Sequence, residues 1–234
     1  TGDGKPLGFQ VTFFRTRPPT DQRNPSAFAA RQVLFAHAAL SDPAVGHLLH
    51  SQRVAREGFG LAQASTADAD IVLEDWSFKR DADGRFHSRA GGAEFLLDLD
   101  FAPTQQVLLE GQNGLSRKGP LAAQASYYYS LPHLAVLGSI MRGGKTVAVK
   151  GAAWLDREWS SAYLAPGAVG WDWTGLNFDD GGALMAFRIR DAKGQPLWAG
   201  GSYRDVKGAL TNFAPADVTL APVRQWHSTR TGAD

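Results

Sequence analysis

The sequence of 234 residues predicts an all-β fold, because apolar and polar residues alternate along it and its turns are short. In residues 95–101, apolar side chains at every second position face away from Asp98 and Asp100, as a half-buried strand requires. Glycine-containing turn segments separate such stretches at residues 81–85, 142–145, 179–182 and 191–195. Strands joined by such tight turns predict an antiparallel meander, closed as a barrel or folded as a sandwich.

The same alternation places the individual strands. We predict strands near residues 8–15, 32–40, 71–79, 93–101, 106–111, 125–131, 146–155, 169–178, 183–190 and 196–203. A short helix is expected only in residues 43–64, where Val45, Leu48, Leu49 and Gln52 recur at helical spacing.

Composition excludes several classes of function. Twenty-four basic and 23 acidic residues leave a net charge of +1, with no long run of one sign, which disfavours a nucleic-acid surface. The absence of cysteine rules out disulfides, thiolate zinc ligands and thiol nucleophiles. The six histidines are scattered and no phosphate-binding glycine motif is present. We therefore expect neither a metal nor a cofactor, and no apolar run approaches the length of a membrane helix.

Residues 151–173 contain four of the seven tryptophans together with Asp156, Glu158 and Asp172. Indole N–H groups and carboxylates need hydrogen-bond partners once they are removed from water. This density of both indicates the wall of a ligand site. The alternative is an ordinary sheet core whose acids cap turns.

Two further segments carry candidate ligand-binding residues. In residues 71–79, alternation groups Glu74 with Trp76, so a carboxyl group is expected among apolar neighbours, unless it lies at a strand end. In residues 125–131, Tyr127 and Tyr129 share one face of a strand. Tyrosines suit an apolar pocket with a few polar groups, but stacked tyrosines also simply stabilise a sheet.

A set of ordered segments resembles the carotenoid 1,2-hydratase family, also called hydroxyneurosporene synthase, including its lipocalin-like AttH branch. The segments are QVTFFR, FAHAALSD, LEDWSF, GLSRKGP, ASYYYS, WLDREWS and GWDWTGLNFDDG, and the likeness spans residues 7–230. The resemblance implies two lipocalin-like, calycin-type antiparallel β-barrels with an apolar cleft. We place the first barrel at residues 1–165 and the second at residues 166–234.

Three departures from the family pattern concern the completeness of the site. Members usually have a Glu-Trp-Trp strand before the position of Thr1, a glycine in place of Ser160, and a chain that continues beyond Asp234. We therefore expect the second barrel to be incomplete.

The resemblance implies acid-catalysed addition of water to an isolated C=C bond of an acyclic terpenoid. Such chemistry needs an acid that is neutral before it reacts and electron-rich rings that attract the carbocation. We assign proton donation to Asp156, and water orientation to Asp172 or Glu158. The residues expected to line the cleft are Trp154, Trp159, Trp171 and Trp173.

The rival hypothesis is a non-enzymatic binder or carrier of a lipid-like molecule that serves an ABC transport system. Both hypotheses imply an apolar ligand and an exported protein, periplasmic or at the membrane periphery. The surroundings of Asp156 discriminate between them. An ion pair to Arg117 or Arg157 at the surface favours the binder, whereas apolar surroundings without a cationic partner favour the hydratase.

Overall fold

A computed structural model describes residues 4–19, 23–161, 164–229 and 232. The predicted all-β class is confirmed, since strands in curled antiparallel, lipocalin-like sheets are the main secondary structure of these residues. Their one helical element is a 3-10 turn, Pro215–Asp217. No helix in these ranges is both long and apolar enough to cross a membrane.

The chain divides into two compact units. Unit 1 comprises Thr1–Thr104 and Leu134–Ala153, and unit 2 comprises Gln105–His133 and Trp154–Asp234. Two long strands, β11 (Ala125–Arg142) and β12 (Lys145–Trp159), therefore contribute one part to each unit. The division into two barrels near residue 165 stays a prediction.

Unit 1 contains two antiparallel sheets. A three-stranded sheet has the order β1-β2-β3, and in the second sheet β8 pairs with β7 and with residues 135–142 of β11. Trp76 is buried in the core, where its Nε1 donates to the carbonyl of Gly91 at 2.9 Å. The strands are β1 (Gly8–Thr16), β2 (Val33–Ser41), β3 (Leu48–Arg56), β4 (Ala62–Ala64), β5 (Asp70–Leu73), β6 (Trp76–Arg80), β7 (Phe86–Gly91) and β8 (Phe95–Ala102).

Unit 2 has its own sheet and core. Four strands lie in the order β13-β14-β15-β16, while β9 and β10 pair with the first half of β11. Tyr128, Met185, Phe187 and Ile189 form the core, and Trp154 packs against them. The strands are β9 (Leu108–Leu109), β10 (Leu115–Arg117), β13 (Gly170–Asn177), β14 (Ala183–Arg190), β15 (Pro196–Arg204) and β16 (Leu210–Phe213).

The predicted helix in residues 43–64 is wrong. This segment contains β3 and β4, and β3 pairs with β2 in a hairpin. Leu49 lies opposite Leu40, and both are buried, whereas the adjacent Leu48 is 56% exposed. Burial thus follows the two-residue period of a strand, and sheet pairing overrides the helical spacing of a few leucines.

The single strand predicted at residues 71–79 is also wrong. Leu73 pairs with Trp76, so Glu74 and Asp75 are the two central residues of a hairpin turn between β5 and β6. Glu74 has a φ of 55°, which tight hairpin turns require and which usually selects glycine, asparagine or aspartate. Because no glycine marks this turn, the apolar alternation continues through it and resembles that of one longer strand.

Replacing Gly138 by alanine is expected to destabilise unit 1 by about 1–3 kcal/mol. Gly138 has a φ of 147°, and an added Cβ would fall on the carbonyl oxygen of Asp98 in the neighbouring strand. Urea denaturation provides the free energy of unfolding. Gly151→Ala is the matched control, because a Cβ added at Gly151 would have no heavy atom within 4 Å. Equal stability of the two variants would contradict the predicted clash.

Candidate active site

The inner faces of β11, β12 and β13 bring one cluster of polar and aromatic side chains together in unit 2. Alternation directs Tyr128 and Ser130 of β11, and Trp154 and Asp156 of β12, to the same side. Trp173 of β13 meets Trp154 edge to face, with ring centroids 6.4 Å apart. The face of β12 that carries Trp154 and the face of β13 that carries Trp173 therefore meet.

Asp156 is the centre of this cluster. Its Oδ1 accepts hydrogen bonds from Ser130 Oγ at 2.6 Å, Trp154 Nε1 at 2.7 Å and Tyr128 Oη at 2.8 Å. Every described hydrogen bond to this carboxyl group ends on Oδ1, which leaves Oδ2 without a described partner. The described ion pairs do not include Asp156, and those nearby use Glu158 and Asp172 instead.

Burial raises the pKa of Asp156, and its three hydrogen-bond donors reduce the rise. The residue is surrounded by many protein atoms, yet it is exposed by accessible area. Its carboxyl group thus lies at the rim of the cluster, where water screens part of the effect. An acid with a raised pKa and one free oxygen at a rim can donate a proton to a bound molecule.

Glu110 lies behind Asp156 and is fully buried. The backbone N–H of Glu110 donates to the carbonyl of Tyr128, which fixes the residue beside β11. Its Oε1 lies 2.9 Å from Ser130 Oγ, so one hydroxyl stands between the two carboxyl groups. Burial raises the pKa of Glu110 to about 7, although the nearby hydroxyls of Ser202 and Ser130 oppose this rise.

Tyr128 joins the aromatic and acidic parts of the cluster. The phenol is buried, donates to Asp156 and accepts a hydrogen bond from Trp173 Nε1 at 3.1 Å. Burial and the negative charges of Asp156 and Glu110 raise its pKa. The phenol therefore stays a neutral donor that holds Asp156 and Trp173 in place.

Glu158 is the second carboxyl group on the inner face of β12. It pairs with the nearly buried Lys118 at 2.9 Å and accepts a hydrogen bond from Ser126 Oγ at 2.6 Å. Lys118 Nζ also lies 4.0 Å from the ring centroid of Phe187, a cation–π contact. The ion pair with Lys118 fixes the position of Glu158, whose charge adds to the rise in the pKa of Asp156.

Asp172 lies on the other face of β13 from Trp171 and Trp173. Arg188 Nη2 contacts its Oδ2 at 2.6 Å, and Arg190 Nε contacts its Oδ1 at 3.4 Å. Partial burial acts to raise the pKa of Asp172, but the two arginines outweigh it and the pKa is lowered. This carboxylate is therefore a structural ion-pair partner, outside the cluster around Asp156.

The remaining predicted aromatic residues divide between two surfaces. Trp159 stacks on Tyr127 at 5.6 Å and meets Tyr129 edge to face, which places these three rings on the outer face of β11 and β12. Trp171, 59% exposed, shares the face of Trp173. The structure thus brings Trp154, Trp173 and Asp156 together, and places the outer-face rings across the sheet from them.

Glu74 and Trp76 belong to unit 1. Glu74 lies in its turn 3.2 Å from Arg53, whose guanidinium also stacks 5.1 Å above Trp76. Trp76 is only 1% exposed, so its ring is a core residue of unit 1. Neither residue contributes to the cluster in unit 2.

Several residues of the cluster escape prediction from the sequence. Glu110 follows a strand of only two residues, too short for a periodic pattern, and Ser130 is an ordinary polar residue in a long strand. Tyr128 could have been found, because alternation places it opposite Tyr127 and Tyr129. None of the described His, Asp and Glu residues form a group of three suited to a metal ion.

Glu110 gives this fold a distinctive dependence of stability on pH. Its pKa is about 7 in the folded protein against 4.5 ordinarily, so the folded state binds the proton more tightly. This stabilisation is fully present below pH 4.5 and is lost as the pH rises to about 7, on the order of 3 kcal/mol in total. Urea denaturation across this range should show that loss in the wild type relative to Glu110→Gln. Parallel pH profiles of the two proteins would contradict the assignment.

The protein is a lipocalin-like β protein. Its Asp156 carboxyl group lies among tryptophans, and a second acid, Glu110, is buried beside it. The chain belongs to the AttH-like family, whose model matches residues 1–234. A crystal structure described as an AttH protein from Nitrosomonas europaea is 52% identical, with a TM-score of 0.91 over 99% of this chain and 70% of that one.

A second structure, kievitone hydratase from Nectria haematococca, has a TM-score of 0.62 and 15% identity. The match covers 78% of this chain and 59% of that enzyme, and at this identity it shows a shared fold. No curated protein sequence gives a significant match.

Proposed function

We propose that this protein adds water to an isolated C=C bond of an apolar, terpenoid-like molecule, with Asp156 as the acid. The observation that carries the proposal is a carboxyl group with a raised pKa, no described cationic partner and two indoles beside it. The motif resemblance to carotenoid 1,2-hydratases and the fold shared with a hydratase support the same chemistry.

The first step transfers the proton on Asp156 Oδ2 to one alkene carbon, which leaves a carbocation on the other. The three donors on Oδ1 remain in place and stabilise the carboxylate as it forms. Stabilisation of developing charge by groups already in position is the most effective form of electrostatic catalysis. Water then adds to the cation, and its released proton returns to Asp156, so protons balance over the cycle.

The carbocation is placed against the indoles of Trp154 and Trp173. Aromatic faces attract a cation more strongly where water is scarce. Trp173 is 43% exposed, so its ring is available to a ligand. We assign water orientation to Glu158 in preference to Asp172, because Glu158 shares the strand face of Asp156 and Asp172 does not.

Turnover in H₂¹⁸O tests the proposal. The protein is incubated with acyclic terpenoids of increasing length, from geraniol to lycopene, and products are analysed by mass spectrometry. We expect one ¹⁸O atom to appear in a tertiary alcohol, and heat-denatured protein is the control. Binding of these compounds without any ¹⁸O uptake would instead support the carrier, for which the exposed aromatic rings would suffice.

A further inference from the structure

We infer that Glu110 is held as a neutral acid that donates its proton to Ser130, and so fixes Ser130 as a donor to Asp156. Ser130 Oγ lies 2.9 Å from Glu110 Oε1 and 2.6 Å from Asp156 Oδ1. A hydroxyl has one proton to donate, so one of these two contacts must use a proton from a carboxyl group.

Asp156 Oδ1 is poorly placed to carry that proton. Trp154 Nε1, which can only donate, already points to the same oxygen. Tyr128 Oη accepts from Trp173 Nε1, an obligate donor, and uses its own proton on Oδ1. With donors converging on Oδ1, Ser130 completes the set, and Glu110 Oε1 is left to supply the proton for the remaining contact.

The surroundings of Glu110 favour the neutral form. Its Oε2 is buried and has no described hydrogen-bond partner, which would be costly for an anion. Ser202 lies beside it, but its hydroxyl donates to Asn212 Oδ1 at 3.0 Å. The burial that raises the pKa of Glu110 acts in the same direction.

Charged groups from each neighbouring element act on this chain of hydrogen bonds. Asp156 of β12 raises the pKa of Glu110, and Lys118 lowers it. Lys118 Nζ pairs with Glu158 of β12. Arg204 of β15 attracts Glu110 at a distance, yet its guanidinium donates to Gln106 O and Gln105 Oε1. The described direct partners of Lys118 and Arg204 are thus groups other than Glu110.

Glu110 is therefore a positioning residue, and its effect on catalysis rests on the proposed function. While it is protonated, Ser130 supports Asp156 as that residue gives up its Oδ2 proton. When Glu110 ionises, Ser130 turns towards it, and Asp156 loses one donor and gains a negative neighbour. Asp156 then becomes a weaker acid, so hydration is expected to fall as Glu110 ionises.

Infrared spectroscopy of protein labelled with ¹³C-glutamate tests the inference without a substrate. We expect a carbonyl band of a protonated glutamic acid that persists above about pH 5.5, where ordinary glutamates are ionised, and disappears above pH 7, since the pKa of Glu110 is about 7. Glu110→Gln should abolish this band. Ser130→Ala should shift it to higher wavenumber, because the acceptor of the Glu110 proton is gone. Ser126→Ala, which affects Glu158 instead, is the control and should leave the band in place.

Absence of a glutamic-acid band in the wild type would overturn the inference, as would a band unaffected by Ser130→Ala. The wild-type spectrum alone decides the first point even if a variant fails to fold. Neither outcome depends on turnover, so a protein that binds terpenoids without hydrating them could still show the band. In the active protein, Glu110→Gln should keep hydration active to higher pH, because the glutamine amide donates to Ser130 without ionising.

Discussion

Replacing Asp156 by asparagine is expected to lower the rate of hydration by about 10²–10⁴-fold, the usual contribution of a general acid. Asparagine keeps an oxygen that can accept from Tyr128, Ser130 and Trp154, so the cluster and the fold should be retained. What is lost is the proton on the second oxygen. Initial rates of ¹⁸O incorporation, with ligand binding followed by quenching of tryptophan fluorescence, separate turnover from affinity.

Asp191→Asn is the matched control for this variant. Asp191 lies in a turn of unit 2, where its Oδ1 accepts from the backbone N–H groups of Lys193 and Gln195. Asparagine supports the same turn, so rate and binding should be unchanged. Retention of wild-type turnover by Asp156→Asn would remove Asp156 from the mechanism, whereas loss of binding as well as turnover would indicate a structural role.

Replacing Trp76 by alanine is expected to destabilise the protein by about 3–5 kcal/mol, as is usual for a large buried aromatic residue. The change creates a cavity in unit 1, leaves the Gly91 carbonyl without its indole donor, and removes the ring beneath Arg53. The aromatic contact with Phe13, 6.4 Å between centroids, is lost as well. Urea denaturation monitored by circular dichroism measures the change.

Trp226→Ala controls for the loss of a tryptophan as such. Trp226 is 74% exposed, and substitutions at such positions usually change stability by less than about 0.5 kcal/mol. Similar stability losses in the two variants would contradict the assignment of Trp76 to the core. The ligand-binding role predicted for Trp76 from the sequence stays a prediction.

Alternation and turn residues were sufficient to predict the class of fold. The strand at Ala183–Arg190 agrees with the prediction residue for residue, because its apolar side chains alternate and Gly-containing turns bound it on both sides. The helix predicted in residues 43–64 and the single strand predicted at residues 71–79 are wrong because the local sequence signal is misleading in the first and absent in the second. Leu48 and Leu49 mimic a helix because they stand at a strand start, and the turn at Glu74 and Asp75 has no glycine to mark it.

The site was predictable only in part, for a physical reason. Alternation along one strand places Trp154 and Asp156 on one face, but which faces meet depends on the packing of strands that are distant in sequence. Ser130 links Glu110 to Asp156 by hydrogen bonds. These three residues are far apart in sequence, so no local pattern predicts their contact. Likewise, the pairing of Asp172 with Arg188 and of Glu158 with Lys118 follows from tertiary structure.

The pH titration of Asp156, followed by NMR of protein labelled with ¹³C at aspartate carboxyl carbons, tests whether this residue can serve as the acid. The resonance is assigned as the one that Asp156→Asn removes. We predict that this carboxyl group titrates above the surface aspartates, because burial raises its pKa. Titration together with the exposed aspartates would show an ordinary carboxylate, and would contradict the role of Asp156 as the acid.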